Sequence, residues 1–439
     1  MEFINKFLWA IATIMLILSG LYYSFKLHFL HLDFKKIGNS LNNNNRDKKG
    51  ISAFESLTVS LGACIGVGSL AGIALAIFKG GVGTIFWIII SCLVMAPNSI
   101  VENALAVIYH EKQGNNYIGG PSFYIEKGLG YKKLAIIYSI LICIAYLFGF
   151  LTIQSNTISS FITTFYNIPN ILIGVIISIL SFLIIRKGIK GIAKFSSIFV
   201  PFMGMLYLFV SLLIIFKNIN IIPNIFGEIL KDAFYPSSIK YGLFSSIIIG
   251  IQRGIFASEV GSGTSAIASA SSNIKSPIKQ GLVGVVGVYF TTFVICLSTA
   301  LIILTSDYNP MNYNVVNGIE ITGNALRYHL GSIGNFILYF SLIAFSFSTI
   351  ISGYYYVETN LKFIFKNISD NKVLLLKIIT CILLMISTII SPTIIWNLSD
   401  LLVALLIIIN VYAIYNLRHD VKSAYIDFKK QDFLIKRDR

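Results

Sequence analysis

Apolar segments long enough to cross a lipid bilayer recur along almost the whole 439-residue chain, and they constrain its fold more than any other feature. A spanning helix needs about 20 consecutive, predominantly apolar residues. The composition agrees, because 56% of the residues are hydrophobic and only 12% are charged, whereas soluble domains carry about 25% charged residues. These values exclude the soluble, disordered, collagen-like and disulfide-rich classes. We therefore expect an all-α integral membrane protein.

The hydropathy pattern predicts eleven spanning helices. The first lies near residues 7–23, and we interpret it as a helix rather than a signal peptide because no small-residue cleavage site follows it. The other ten are predicted near 54–78, 84–109, 132–164, 170–186, 192–217, 241–262, 280–305, 332–363, 372–391 and 393–417. Three regions follow: an extra helix with its loop (1–50), a ten-helix core (51–417) and a basic tail (418–439). The core divides into halves near 51–218 and 240–417.

The distribution of basic residues predicts the orientation of the chain. Its formal net charge is +15, which in a soluble protein would indicate a nucleic-acid partner. When the loops are assigned to alternate sides, 27 of the 34 Lys and Arg residues fall on one side. Short cytoplasmic loops carry such an excess. We therefore predict a multi-pass protein of the inner or plasma membrane, with its N-terminus outside, its C-terminus in the cytoplasm and no nucleic-acid partner.

Cysteine and histidine residues give no sign of a disulfide framework or a zinc site. The five cysteines are isolated in apolar runs, and no CxxC pair occurs. His28 and His31 have a metal-like spacing, but we interpret them as polar anchors at the membrane interface.

Two of the predicted core helices are interrupted by glycine. One contains GACIGVGSLAG at Gly62–Gly72, and the other contains GIQRGIFASEVGSGTS at Gly250–Ser265. A simple alternative is close helix packing, since glycines four residues apart let two helices approach each other. However, these are the first and sixth core helices, so each begins a five-helix half. That placement is typical of inverted-repeat transporters, whose sites lie between two discontinuous helices.

The second interrupted helix also carries Arg253, Ser258 and Glu259 at membrane depth. Ionisable groups there are costly, and they indicate a functional site by default. An interrupted helix exposes N–H groups that attract a carboxylate, and carbonyl groups that suit an ammonium group or a sodium ion. The pair of interruptions therefore predicts a site for a zwitterion and a cation.

Several motifs, in order, resemble those of the alanine/glycine:cation symporters. They are FESLTVSLGACIGVGSLAGIALAIFKGGVGTIFW (54–87), GGPSFYIEKGLG (119–130), RGIFASEVGSGTSAIA (253–268), QGLVGVVGV (280–288), AFSFSTIISGYYYVE (344–358) and IWNLSDLLVALLIIIN (395–410). The resemblance implies a LeuT-type 5+5 inverted repeat with one extra N-terminal transmembrane helix. It also implies sodium-coupled, or alternatively proton-coupled, uptake of small neutral amino acids such as alanine and glycine, with no cofactor besides the coupling ion.

The resemblance also implies the residues of the site. Substrate contacts are expected at the first break (Gly66, Gly68, Ser69), in the third core helix (Gln154), at the sixth-helix break (Gly254, Ile255, Phe256) and in the eighth helix (Thr349). For sodium, the implied ligands are carbonyl groups near Gly62 and Ile65 and the hydroxyls of Ser348 and Thr349.

The chain departs from the family pattern at three positions. Val67 and Ser69 stand where the family usually has Thr and Asn, which puts the cation site in question. Gly353 stands where the family usually has Trp. We expect this glycine to enlarge the substrate pocket unless one of Tyr354–Tyr356 turns into it, and hence we expect a somewhat larger or a different substrate than alanine.

Four ionisable residues are candidates for structural or gating roles. We interpret Glu102 as a partner of a cytoplasmic Lys or Arg, with a coupling or gating carboxylate as the alternative. Asp400, expected at the start of its helix, either pairs with a basic group to close an outer gate or is a solvated helix-start residue. Arg253 and Glu259 are expected to brace the break rather than touch substrate.

Two other functional classes remain as alternatives, an intramembrane enzyme and a channel. No His lies within a predicted span, and HExxH, GxSxG and P-loop motifs are absent. The chain also has no TVGYG-like filter. Secondary active transport is therefore the leading hypothesis.

Overall fold

The computed structural model describes residues 2–41, 50–165, 167–235, 242–312, 318–366 and 368–437, and these are helical apart from one short hairpin and the connecting loops. The first half contains α1 (Glu2–Lys26), α2 (Phe34–Ser40), α3 (Ala53–Cys64), α4 (Ile73–Gly80), α5 (Thr84–Ile108), α6 (Pro121–Leu129), α7 (Lys132–Ala145), α8 (Leu151–Phe165), α9 (Asn170–Ile185) and α10 (Gly188–Lys217). The antiparallel hairpin consists of β1 (Glu111–Gln113) and β2 (Asn116–Ile118).

The second half contains α11 (Ile222–Phe234), α12 (Gly242–Ser258), α13 (Thr264–Ala270), α14 (Pro277–Tyr289), α15 (Leu297–Leu304), α16 (Ile319–Leu330), α17 (Ser332–Ile364), α18 (Asp370–Ser387), α19 (Pro392–Asn416) and α20 (Arg418–Arg437). Three π-helical segments, Gly68–Gly72, Tyr146–Phe150 and Phe290–Cys296, join α-helices within one span. Two 3-10 turns lie at Leu30–Leu32 and Pro310–Asn312.

Each predicted apolar segment coincides with a helix or with a pair of helices. Among the described residues, seven helices are long and apolar enough to cross a membrane, and α3 with α4 makes an eighth span bent by 56°. The three remaining predicted segments correspond to α9, α12 and α18, which are shorter or more charged. Eleven spans are compatible with this arrangement, and the exact count stays a prediction. Helices α11, α16 and α20 lie where the sequence analysis placed loops and a tail.

The outward-facing side chains of the long helices are apolar. On α10, Phe202, Met205, Phe209 and Phe216 are each more than half exposed. In water such a surface would be unfavourable, because the transfer of apolar area out of water lowers the free energy. It is the surface expected of a helix in contact with lipid tails.

The second core break lies further along the chain than expected. We expected Gly254, Ile255 and Phe256 at the break, but all three lie within α12, and the helix is interrupted after Ser258. Residues Glu259, Gly261 and Gly263 have φ of 54°, 81° and 80°. Glycine adopts this left-handed region at little cost, so these two glycines end α12 and start α13. Gly254 has another role, because a Cβ there would lie 2.7 Å from Ser91 Oγ on α5.

The extra helix α1 is an integral part of the bundle. Trp9 Nε1 donates to the Asp400 carbonyl oxygen (3.0 Å), and Tyr23 OH donates to the Ile414 carbonyl oxygen (2.6 Å), both on α19. Ser19 Oγ donates to Asn98 Oδ1 on α5 (2.7 Å). Helix α1 therefore joins a helix of each half of the core.

The left-handed glycines of the second break give a test of this fold. A Cβ at Gly263 would lie 2.4 Å from Pro121 Cγ, in addition to its unfavourable φ. We expect Gly263→Ala to lower the free energy of unfolding by about 2 kcal/mol or more, from the left-handed conformation and overpacking together. The thermal unfolding midpoint of the purified protein in detergent measures it. Gly227→Ala is the control, since nothing lies within 4 Å of its added Cβ, and an equal change in both variants would contradict the expectation.

Candidate functional site

Five oxygen atoms gather where the end of α3 meets the middle of α17. Thr349 Oγ1 lies 3.0 Å from the Gly62 carbonyl oxygen, 3.4 Å from that of Ile65 and 3.1 Å from that of Phe345. Ser348 Oγ lies 3.2 Å from the Gly62 oxygen and 2.8 Å from the Phe345 oxygen. All four implied sodium residues therefore meet, together with the Phe345 carbonyl group, which sequence reasoning missed.

This oxygen cluster contains fewer hydrogen-bond donors than acceptors. Each hydroxyl has one hydrogen to donate and two lone pairs to accept with. Ser348 and Thr349 therefore offer two hydrogens to three carbonyl oxygens. With the hydroxyls turned to accept, all five oxygens can coordinate a hard cation, and among the described residues no group of His, Cys, Asp or Glu offers a rival metal site.

Gln154 lies against the backbone of the first break. Its Oε1 accepts a hydrogen bond from the Val67 N–H at 3.0 Å. A Cβ at Gly66 would lie 2.6 Å from Thr349 Oγ1 and 2.9 Å from Gln154 Nε2, so only glycine fits between them. Gln154, Gly66 and Thr349 therefore lie together, as expected. The N–H group that donates to Gln154, however, belongs to Val67 and not to Gly66, Gly68 or Ser69. The N–H of Ser69 instead donates to the Gly66 carbonyl oxygen (3.1 Å).

Phe256 packs between the two breaks. Its ring is stacked on Phe150 (5.2 Å between centroids) and lies 5.4 Å from Trp396. On the other side, a Cβ at Gly68 would lie 3.1 Å from the Phe256 ring. Ile255, the preceding residue, is buried and lines a cavity of about 10 Å³ together with Phe150, Phe256 and Glu259. This cavity has space for at most about one water molecule.

The space beside Gly353 is filled. A Cβ there would lie 2.7 Å from Tyr146 Cδ1 and 2.7 Å from Leu151 Cδ1. The Tyr146 ring is stacked on Phe150 (4.8 Å) and meets Tyr356 edge-on (5.2 Å). The expected enlargement of the pocket at Gly353 is therefore absent in this conformation. A tyrosine from Tyr354–Tyr356 was the one exception that we allowed to this enlargement, but the ring that fills the space comes from the third core helix.

Glu259 and Glu102 are both buried, and both contact the second break. Glu259 Oε2 accepts hydrogen bonds from Thr264 Oγ1 (2.6 Å) and Tyr146 OH (3.0 Å). Glu102 accepts from the Gly263 N–H (3.2 Å), from Ser265 Oγ (3.0 Å) and from the Asn410 amide (3.0 Å). We expected a Lys or Arg partner for Glu102, and that was wrong. Three neutral donors hold its carboxylate instead, and one of them is a backbone N–H of the break.

Arg253 and Asp400 form an ion pair on one side of Phe256. Arg253 Nη2 lies 3.3 Å from Asp400 Oδ2, and the two side chains are only 12% and 9% exposed. The guanidinium also lies over the rings of Phe256 (5.7 Å) and Trp396 (5.4 Å). Asp400 lies inside α19 rather than at its start. Arg253 therefore contacts both Phe256 of the candidate site and Asp400, and closure of an outer gate by this pair stays a prediction.

The contribution of this ion pair to the free energy of unfolding can be tested. Removal of one partner of a buried pair leaves an uncompensated charge, at a cost of about 3–5 kcal/mol. We expect Asp400→Asn to lower the free energy of unfolding by about that much, and the double variant Arg253→Gln/Asp400→Asn to recover most of it. Thermal unfolding of the four proteins in a double-mutant cycle measures the coupling.

The exposed pair Lys127–Glu111 is the control for this cycle, since such pairs contribute about 0–1 kcal/mol. Independent, additive effects of the Arg253 and Asp400 substitutions would contradict a stabilising ion pair.

Comparison with solved structures agrees with the LeuT-type fold. The structure is similar to that of MhsT in complex with L-phenylalanine, with a TM-score of 0.61 and 13% identity over 87% of this chain and 98% of that one. It is also similar to a manganese transporter from Eremococcus coleocola, with a TM-score of 0.54 and 14% identity over 84% of this chain and 79% of that one. At these identities the likeness concerns the fold alone.

The relatives found by sequence comparison match almost the whole chain. The chain is 34% identical to the probable sodium/glutamine symporter GlnT of Bacillus subtilis (97% of this chain, 90% of the relative) and 31% identical to the amino-acid carrier protein AlsT of the same organism (97% and 91%). It is 31% identical to a sodium/proton-dependent alanine carrier protein of Bacillus sp. strain PS3 (87% and 89%). The model of the sodium:alanine symporter family matches residues 1–438. The chain belongs to the sodium:alanine symporter family.

Proposed function

We propose that this cation-coupled amino-acid symporter couples sodium entry to the uptake of a small neutral amino acid such as alanine. The five-oxygen cluster formed by Gly62, Ile65, Phe345, Ser348 and Thr349 carries the proposal. Membership of the family excludes the intramembrane-enzyme alternative and leaves no observation in favour of a channel.

The location of the oxygen cluster supports coupling between ion and substrate. Thr349 contributes to the cluster and also lies close to Gly66, on whose other side lies Gln154. A cation bound to the Gly62 and Ile65 carbonyl groups would stabilise the broken end of α3, because a helix C-terminus attracts positive charge. That broken end leads directly into the backbone that faces Gln154. Binding of the ion would therefore preorganise the substrate site.

The backbone of the first break is the proposed site of the substrate carboxylate. In the structure, Gln154 Oε1 already accepts the hydrogen bond that the Val67 N–H donates. We propose that the carboxylate takes this N–H when substrate enters, while the Gln154 amide turns its NH₂ group toward the bound anion. Gly66 and Gly68 allow this approach, because any side chain there would meet Thr349, Gln154 or Phe256.

The sodium dependence of uptake tests the proposed ion site. In proteoliposomes with an inward sodium gradient, we expect labelled alanine uptake that a sodium ionophore abolishes. The double variant Ser348→Ala/Thr349→Val removes two of the five oxygens. We expect it to raise the sodium concentration for half-maximal uptake about tenfold or more, since a hard cation with fewer oxygen ligands binds more weakly.

Ser346→Ala is the control on the same helix, because the Ser346 hydroxyl is buried and makes no hydrogen bond within the described part of the chain. An unchanged sodium requirement in the double variant would contradict the ion site. Uptake driven equally well by a proton gradient without sodium would contradict sodium coupling.

The size of the accepted substrate tests the role of Tyr146. Because this ring fills the space beside Gly353, we expect Tyr146→Ala to open that space. Larger neutral amino acids such as glutamine should then compete several-fold better with labelled alanine than they do in the wild type. In the same background, Gly353→Trp should refill the space and restore the narrower preference. An identical competition panel in all three proteins would contradict this assignment.

A further inference from the structure

One oxygen of the Glu259 carboxylate accepts no hydrogen bond. Oε2 accepts two hydrogen bonds, from Thr264 Oγ1 and Tyr146 OH, whereas Oε1 is buried and makes none. A buried polar atom without a partner costs free energy, and one in a native structure requires an explanation. Bracing of the break accounts for Oε2 only.

The charge of this carboxylate is also unbalanced. Within the described part of the chain, no Lys, Arg or His side chain forms an ion pair with Glu259, whereas Arg253 is paired with Asp400 and Lys362 with Glu358. The donors near it are neutral: the hydroxyls of Thr264 and Tyr146, and the thiol of Cys64. A charged group inside a membrane protein normally faces a partner or a functional cavity. Glu259 lies beside a small cavity that Phe150, Ile255 and Phe256 also line.

The surroundings of the Glu259 carboxylate favour a cation. Two half-helices end here, α3 at Cys64 and α12 at Ser258, and Cys64 Sγ lies 3.7 Å from the Ser258 carbonyl oxygen. Helix C-termini carry partial negative charge and stabilise a nearby positive group. The aromatic rings of Phe150 and Phe256, which line the same cavity, add favourable faces for an organic cation.

We propose that Glu259 binds the ammonium group of the amino-acid substrate through Oε1. The proposal rests on the proposed function and adds to it the residue that recognises the amine. An ammonium group offers three donors and no acceptor, so it complements a lone carboxylate oxygen. Sodium is a less suitable occupant, because the oxygens for one ion already gather at Thr349. Tyr146, in the space left by Gly353, holds the other oxygen in place.

Binding by the purified full-length protein, in the presence of sodium, tests the proposal. Labelled L-alanine is displaced by unlabelled alanine and by propionate, which has the carboxylate but lacks the amine. In the wild type we expect a strong preference for alanine. Glu259→Gln should raise the Kd for alanine about tenfold or more, because a hydrogen bond between two charged groups is lost. The Kd for propionate should change little, so the preference between them should shrink by a similar factor.

Glu259→Asp provides a second measurement that does not depend on the folding of the Gln variant. It keeps the charge but withdraws the carboxylate by one methylene group, so the preference for alanine should fall by less than in Glu259→Gln. Glu358→Gln is the matched control, since Glu358 is a buried carboxylate whose cation is Lys362 at 2.6 Å. We expect an unchanged preference in this control.

The outcomes separate the two proposals. An unchanged preference in the Asp variant, or equal losses of alanine and propionate binding in the Gln variant, would overturn the assignment of Glu259. A third result would also overturn the assignment. If the Gln variant needs more sodium for half-maximal binding but keeps its preference for alanine over propionate, Glu259 acts on an ion and not on the ammonium group. If the wild type binds no neutral amino acid in sodium, the proposed function itself fails.

Discussion

Two interrupted helices leave backbone N–H and C=O groups without partners in their own helix, and the surrounding helices are arranged to supply those partners. In a bilayer, free N–H and C=O groups must find partners within the protein. At the first break, Gln154 accepts from the Val67 N–H, while Ser348 and Thr349 cover the Gly62 and Ile65 carbonyl groups. Each of these partners comes from another helix. The breaks are therefore held open by the fold, and they are available to a ligand that offers better partners.

The second break is satisfied by acidic and amide side chains. Glu102 accepts from the Gly263 N–H, and Asn410 donates to the Gly261 carbonyl oxygen (2.9 Å). Tyr138 OH donates to the Ser262 carbonyl oxygen (2.5 Å). These partners belong to α5, α7 and α19, so the break joins helices from both halves of the core. A change in this loop would be transmitted to all three helices.

The few charges within the core fall into two groups with different physical roles. Arg253 and Asp400 neutralise each other beside Phe256. Glu102 and Glu259 have only neutral donors around them. Desolvation makes an unbalanced buried charge costly. Such a cost is retained most readily where a substrate or a conformational change offsets it.

Much of the architecture could be predicted from the chain. The apolar segments predicted the helices within a few residues, and the glycine clusters at Gly62–Gly72 and Gly250–Ser265 predicted both interrupted spans. The exact position of the second break was wrong, because α-helical glycine and left-handed glycine look alike in sequence. Gly254 serves helix packing, whereas Gly261 and Gly263 turn the chain.

The membrane class, the order of the helices and the family could be predicted from the chain, since hydropathy and motif order are local properties. Which groups meet follows from the packing of the helices. It gave Glu102 the amide of Asn410, 308 residues away, in place of a basic partner. It also placed Tyr146 in the space beside Gly353 and left one oxygen of Glu259 unpaired. Such contacts depend on how helices pack and which rotamers that packing allows, and no local pattern encodes them.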